Sequence, residues 1–107
     1  MTNETMKNLQ TDRQKLVDLI KSSEPKDIDR NSDEYHLMLA VQNYCLATLD
    51  LLAFHNPTKE IVLTCSNALA DLGFSLATNY EENKCIIHSL KLILSLLDSF
   101  KGLLKYL

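Results

Sequence analysis

Apolar residues recur along most of the chain at the 3.6-residue spacing of an α-helix. Polar breaks around Pro25, Pro57 and the pair Thr78-Asn79 divide this pattern into four segments. Nowhere do alternating apolar and polar residues flank a turn pair such as Asn-Gly, the usual signature of a β-hairpin. The pattern therefore predicts an all-α chain with helices over about residues 5–21, 33–54, 57–77 and 80–106.

Candidate caps mark the starts of the last three helices. Asn31 or Ser32 precedes the second helix, and the third and fourth follow Asn56 and Asn79. Side-chain oxygens of such residues accept hydrogen bonds from the free N–H groups of a first helical turn. The second and third breaks are short, which favours antiparallel neighbours. We therefore expect one domain, a single up-down-up-down four-helix bundle spanning residues 1–107.

The second and fourth helices carry wider apolar arcs than the first and third. The third has a conventional stripe roughly 120° wide, whereas the arc of the fourth covers roughly 220°. The second helix carries a narrow polar line of His36, Asn43 and Asp50. Beyond its first turn, only Gln42 and Thr48 interrupt the apolar remainder. A helix in a four-helix bundle ordinarily buries about 100° to 140°, so the flanks of both arcs should stay uncovered. We predict a partner-binding surface on these flanks, formed by Ile87, Leu92, Leu94 and Tyr106 of the fourth helix and Leu37, Tyr44 and Leu51 of the second.

Uncovered apolar surface of this extent usually marks a protein–protein interface. We therefore expect a small non-enzymatic regulator of the inhibitor, antitoxin or immunity, anti-activator or escort type. It would dock on a protein partner, on a second copy to form a homodimer, or on both. In the other interpretation, the first helix and its loop cover the wide arcs, or both helices lie centrally in the bundle.

Composition narrows the function classes further. The chain has 11 Lys and Arg against 14 Asp and Glu, without a basic run, so nucleic acid is not a favoured partner. Its N-terminus lacks the basic start and apolar core of a secretory signal. Cys45, Cys65 and Cys85 form an odd set without a Cys-x-x-Cys pair, which suits reduced, buried thiols. These features predict a cytoplasmic protein.

The most apolar segment, residues 85–97, does not predict a transmembrane helix, because His88 and Lys91 interrupt it. Gly73 and Gly102 are the only glycines, which excludes glycine-rich phosphate loops and Gly-x-Ser-x-Gly elbows. The cysteines and histidines are not paired at the spacing of metal ligands. We therefore predict no cofactor and no metal site.

One short motif suggests catalysis. Residues 30–36 read Arg-Asn-Ser-Asp-Glu-Tyr-His, from Arg30 to His36. This segment resembles the arginine-to-histidine signature of HEPN-type ribonucleases, small helical bundles that dimerise to pair two such motifs, and it covers seven of the 107 residues. The resemblance implies an alternative function, a dimeric ribonuclease using Arg30 and His36. Otherwise, Arg30 is a solvated loop charge and His36 begins the polar line of the second helix.

Lysines on the fourth helix suggest a third class of function. Lys84, Lys91, Lys101 and Lys105 accompany its leucine-rich face, as in helices that lie on anionic membranes. With His88, the first two also form a positive patch, either a site for an acidic partner or an ordinary solvated face.

Overall fold

The computed structural model describes residues 3–54 and 56–107. Within these ranges there are four α-helices, a final 3-10 turn and no strand. The helices are α1 (Asn3–Ser23), α2 (Asp33–Phe54), α3 (Lys59–Asn79) and α4 (Lys84–Leu103), and the turn is Leu104–Tyr106. The predicted all-α four-helix bundle is confirmed.

Side-chain caps set the starts of the last three helices. Ser32, Thr58 and Asn83 each accept a hydrogen bond from the backbone N–H three residues later, at 3.2, 3.2 and 3.0 Å. Asn56 and Asn79 were therefore wrong as caps. The third helix starts two residues later than expected and the fourth starts four later, because Thr58 and Asn83, which follow the predicted caps, supply the capping oxygens.

Helix α4 lies at the centre of the bundle. Among the described residues it packs extensively against α1, α2 and α3, and the only other extensive helix pair is α1 with α2. The first turns of α2 and α4 line one small cavity, so these helices run parallel. The end of α1 meets the start of α4 through Ser23 and His88, and the end of α3 does so through Ala77 and Ile86. The path is therefore up, down, up, down, as expected.

The hydrophobic core is built around α4. Because three helices surround it, its wide apolar arc is covered almost entirely, and the interpretation that placed this helix centrally was correct for α4. Leu92, predicted as part of a partner-binding flank, is 0% exposed and belongs to the core. That assignment was wrong because a central helix needs an arc wider than a helix at the corner of a regular bundle. The buried side chains of α4 are Cys85, Ile86, His88, Ser89, Leu92, Ile93, Leu96, Phe100 and Leu103.

Helix α3 is attached to the bundle on one side only. It packs on α4 and makes little direct contact with α2. It buries Val62, Leu69 and Leu76, but Ile61 is 42% exposed and Phe74 is 72% exposed. Ile61 lies at the edge of the predicted stripe and Phe74 lies outside it, so α3 carries uncovered apolar surface on both sides of its buried residues.

By length and composition alone, α2 and α3 are apolar enough to cross a membrane. A core helix of a water-soluble bundle passes the same test, so this is weak evidence for a membrane span. The absence of a transmembrane segment stays a prediction.

Candidate functional site

The residues of the predicted partner-binding surface divide between exposed and buried positions. The exposed ones are Leu94 at 66%, Leu51 at 58%, Tyr106 at 49%, Tyr44 at 43% and Ile87 at 37%. Leu37 is half-buried against the core, and Leu92 is fully buried. The exposed residues do not form one surface: those of α2 border a groove beside α3, those of α4 lie on the far side of α3, and Tyr106 is near the C-terminus.

The first uncovered surface is an apolar groove between α2 and α3. It encloses about 350 Å³ and is lined by Leu37, Ala40, Val41 and Tyr44 of α2 and by Leu72 of α3. The four residues of α2 follow the i, i+3, i+4, i+7 spacing of one helix face. The groove exists because α2 and α3 both pack on α4 without closing on each other. We call it the α2–α3 groove.

The edges of the α2–α3 groove carry no charge along most of its length. On the α2 side, helical spacing continues the exposed surface through Ala47 and Leu51. On the α3 side, Ala68 lies one turn before Leu72, and Ile61 lies further along the same side of the helix; both are exposed. Sequence reasoning missed Ile61 and Ala68 because it treated them as covered. Their exposure depends on the gap between α2 and α3, which no local pattern encodes.

The second uncovered surface lies on the side of the α3 and α4 pair that faces away from α2. Ala77 of α3 and Ile87 of α4 line one shallow pocket of about 220 Å³, which shows that they share this side. We call this surface the α3–α4 face. It consists of Leu63, Ala70, Phe74, Ala77, Ile87 and Leu94. The sequence did carry a signal for it, since positions 63, 70 and 74 form a second apolar ridge on the helical wheel of α3.

A buried polar cluster joins α1, α2 and α4. The His88 side chain is 1% exposed, with its Nδ1 2.9 Å from Ser23 Oγ and its Nε2 3.1 Å from Gln42 Nε2. Because the Ser23 hydroxyl donates to the Leu19 carbonyl at 2.7 Å, these partners assign the proton to Nδ1 of a neutral imidazole. Gln42 then donates to Nε2, and its amide also lies 3.4 Å from Glu24 Oε1. Burial lowers the pKa of His88, which matches this neutral form.

This cluster corrects the predicted positive patch of Lys84, His88 and Lys91. The two lysines are exposed, but His88 points into the bundle and contributes no charge to the surface. The cluster resembles a catalytic serine and histidine pair only in composition. The Ser23 hydroxyl is committed to a backbone carbonyl, and the imidazole has almost no solvent access, so the contacts connect three helices.

Arg30 and His36, the residues of the ribonuclease hypothesis, do not line one cleft within the chain. Arg30 borders a depression of about 230 Å³ together with Lys21 and Tyr35. The His36 ring is exposed and packs edge-to-face on Tyr35, with ring centroids 5.7 Å apart. The ribonuclease activity is not tested by this arrangement and stays a prediction.

The polar line of α2 lies at the solvent surface. His36, Asn43 and Asp50 are all exposed, and Asp50 accepts a hydrogen bond from Arg13 Nε of α1 at 2.7 Å. A solvated strip, rather than a buried polar seam, therefore runs along this side of α2.

The cysteines are free thiols at covered positions. Cys45 and Cys85 are buried and Cys65 is half-buried. Desolvation raises the pKa of all three, to about 12 for Cys45. In the part of the chain that the structure describes, no group of three or more His, Cys, Asp or Glu residues could hold a metal ion.

No protein family, curated protein or solved structure matches the chain.

Proposed function

We propose that the protein is a small non-enzymatic protein-binding regulator whose docking site is the α2–α3 groove. The occupant is an amphipathic helix of a partner protein. The observation that carries this proposal is the groove itself, an apolar slot of about 350 Å³ bounded by two helices that do not close on each other. Slots of this kind accept the apolar face of a third helix.

The lining determines which helix fits. Leu37, Val41 and Tyr44 repeat at helical spacing along one wall, so a ligand presenting apolar residues at i, i+3 or i+4 and i+7 meets them in register. Ala40 leaves room for a large side chain between them. Tyr44 is 43% exposed and supplies the aromatic side chain that often dominates binding energy at an interface.

The charge of the groove edges also selects the ligand. Because the exposed residues beside the lining are uncharged from Ala40 to Leu51 on α2, acidic or basic flanks on the ligand would gain no ion pair there. We therefore expect a partner helix with an apolar face and uncharged polar flanks. Burial of apolar area, at about 25 cal/mol per Å² before the costs of docking, would drive the association.

Site-specific photocross-linking in cells tests the identity of the occupant. A photoreactive phenylalanine analogue replaces Tyr44 in the groove, and a matched variant carries it at Ala70 on the α3–α4 face. We expect adducts from position 44 to lie within an amphipathic helical segment of another protein. Adducts that map to a second copy of this chain, or that form equally from position 70, would contradict the proposal.

A binding measurement with purified components then tests the groove directly. The cross-linked segment is synthesised as a peptide and titrated by calorimetry against wild-type protein, Ala40→Trp and Ala70→Trp. We expect Ala40→Trp to weaken binding at least tenfold by filling the groove, and Ala70→Trp to leave it unchanged. Both alanines are exposed in the free protein, so neither change disturbs the core. Equal binding to all three proteins would refute the groove as the docking site.

A further inference from the structure

The charges around the α3–α4 face are balanced in number and unevenly placed. Residues 59–107 carry five lysines and five acidic residues. The end of the face where α3 begins and α4 ends carries Lys59, Lys101, Lys105 and Glu60. The opposite end carries Glu81, Glu82 and Lys84. The face is therefore neutral as a whole, with one positive end and one acidic end.

The exposed residues of α4 form a single line along this face. They are Lys84, Ile87, Lys91, Leu94, Asp98 and Lys101. The steps between them alternate between three and four residues, which is the spacing of the contact positions in a coiled coil. Because Lys91 and Asp98 lie one turn to either side of Leu94, an occupant that covers Leu94 also covers these two charges.

Lys91 and Asp98 restrict what the occupant can be. A charged group that is taken out of water without a partner loses its hydration, so the occupant must offer an acidic group near Lys91 and a basic group near Asp98. The chain itself carries this pattern. Lys91 lies three residues before Leu94, and Asp98 lies three residues after Ser95. If two antiparallel copies of α4 meet midway between Leu94 and Ser95, Lys91 of each copy lies opposite Asp98 of the other, and one two-fold rotation forms both pairs.

The same rotation matches the charges at the ends of the face. Gly73 of α3 packs against Ile93 of α4, so a two-fold axis that passes Leu94 crosses α3 near Ala70. The positive end of one copy then lies over the acidic end of the other, which brings Lys59 towards Glu82 of the second copy. A two-fold axis running along the helices would instead bring Lys59 towards Lys101 of the second copy. Charge therefore favours the axis that crosses the helices.

The apolar residues form the centre of such an interface. Phe74 is 72% exposed, Leu94 66% and Leu63 45%. Ala70 has a small side chain, so the two copies of α3 can approach closely near the axis. Helices of 21 and 20 residues lying side by side present a face about 30 Å long and about 20 Å wide, of the same order as the roughly 800 Å² that each partner of a standard interface buries.

We propose that the α3–α4 face binds a second copy of the chain and forms a two-fold symmetric dimer. In it, α3 and α4 of each copy pack antiparallel on the same helices of the other. Phe74 and Leu94 become buried, and Lys91 of each copy pairs with Asp98 of the other. The α2–α3 groove lies on the opposite side of α3 and stays accessible in both copies, so the dimer does not depend on the partner helix proposed for the groove.

Sedimentation equilibrium at several protein concentrations tests the dimer. We expect the mass to rise with concentration from 12.2 kDa to twice that value. Phe74→Ser combined with Leu94→Ser should raise the dissociation constant at least tenfold. The control, Tyr44→Ser combined with Leu51→Ser, removes exposed apolar residues from α2 and should dimerise as wild type. Circular dichroism melts confirm that each variant is folded. A wild-type protein that stays monomeric at every concentration, or a control that loses as much association as the test variant, would overturn the proposal.

Charge reversal tests the antiparallel pairing. Lys91→Glu and Asp98→Lys each place like charges opposite one another at two positions of the dimer, and we expect each to raise the dissociation constant at least tenfold. The two changes combined exchange the charges and should restore association to near the wild-type level. Both residues are exposed, so neither change disturbs the core. If the combined variant dimerises as weakly as the single variants, the proposed two-fold arrangement is wrong.

Two tryptophan variants distinguish the dimer from the groove. Ala70→Trp places a large side chain near the axis and should block dimerisation while peptide binding stays unchanged, and Ala40→Trp should do the reverse. In the photocross-linking experiment, adducts from position 70 should map to a second copy, whereas adducts from position 44 map to the partner helix. Loss of both kinds of binding in one folded variant would contradict two separate sites.

Discussion

Helices α3 and α4 lie side by side and are both rich in apolar residues, but they occupy different positions in the bundle. Helix α4 has neighbours on three sides and buries nine residues. Helix α3 has one extensive neighbour and buries three. Most leucines of α4, such as Leu92 and Leu96, are therefore part of the core, whereas Leu63 of α3 is 45% exposed.

This difference teaches that apolar content does not by itself locate an interface. A helix with a wide apolar arc can be covered over most of that arc if it is central, as α4 is. A helix with an ordinary stripe can leave one edge of it exposed if a neighbour is missing, as α3 does at Ile61 and Ala68. The number of neighbouring helices decides how much of each arc is free.

The largest expected effect on stability comes from replacing a buried leucine of α4 with alanine, compared with the same change at an exposed leucine of α3. Leu92→Ala in α4 removes a side chain that is 0% exposed, and we expect it to lower the free energy of unfolding by about 3 kcal/mol. Leu63→Ala in α3 removes one that is 45% exposed and should cost less than about 0.5 kcal/mol. Urea unfolding followed by circular dichroism measures both. Similar costs for the two variants would show that α3 is packed as fully as α4.

The next effect concerns the buried imidazole, since α4 holds a buried histidine and α3 buries only apolar residues. His88→Ala leaves Gln42 without its buried partner, and we expect a loss of about 2 kcal/mol at pH 7.5.

Acidification of the wild-type protein should also lower the free energy of unfolding. The folded-state pKa of His88 lies below the value of 6.5 for the unfolded chain, so the unfolded chain binds more protons as the pH falls below about 6.5. The free energy of unfolding is therefore highest above that pH and decreases as the pH falls toward the lowered folded value. Urea unfolding between pH 7.5 and pH 5.5 measures this slope. His88→Ala should reduce the slope, and the exposed control His36→Gln should retain it; the opposite pattern would contradict the assignment of the neutral form.

The smallest expected effect on stability concerns the cap of α4, at the break between α3 and α4. Asn83→Ala removes the side chain that caps α4, and we expect a cost of about 1 kcal/mol in urea unfolding. Asn79→Ala acts inside the last turn of α3, where the amide donates only to the exposed Ser75 hydroxyl at 3.1 Å, and should cost less than about 0.5 kcal/mol. A larger cost at Asn79 would restore the earlier start of α4 that the sequence pattern suggested.

Much of the fold could be predicted from local signals. The pattern predicted α2 over the residues that form it, because Ser32 supplies a strong cap and the apolar pattern ends before the Asn56-Pro57 break. The start of α4 was misplaced because Asn79 and Asn83 are equally good caps by residue type. Because α3 continues through Asn79, the cap of α4 is Asn83.

The candidate site was less predictable because exposure is a property of the assembled bundle. Leu92 and Leu94 are two residues apart and were predicted on the same exposed flank, yet one is fully buried and the other is 66% exposed. The short second and third breaks favoured α2, α3 and α4 as successive neighbours; for α2 and α3 this was wrong, because both pack on α4 and make little direct contact with each other. The groove residues Val41 and Leu72 became recognisable only with that arrangement.

The one-sided attachment of α3 also affects how the protein opens. Free energies of local opening follow the apolar contacts that are lost, so detaching α3 costs less than separating α1, α2 and α4. The width of the α2–α3 groove is consequently set by the packing of a single helix. A partner helix bulkier than the groove would require α3 to shift on α4, whereas the packing of α1, α2 and α4 would not have to change.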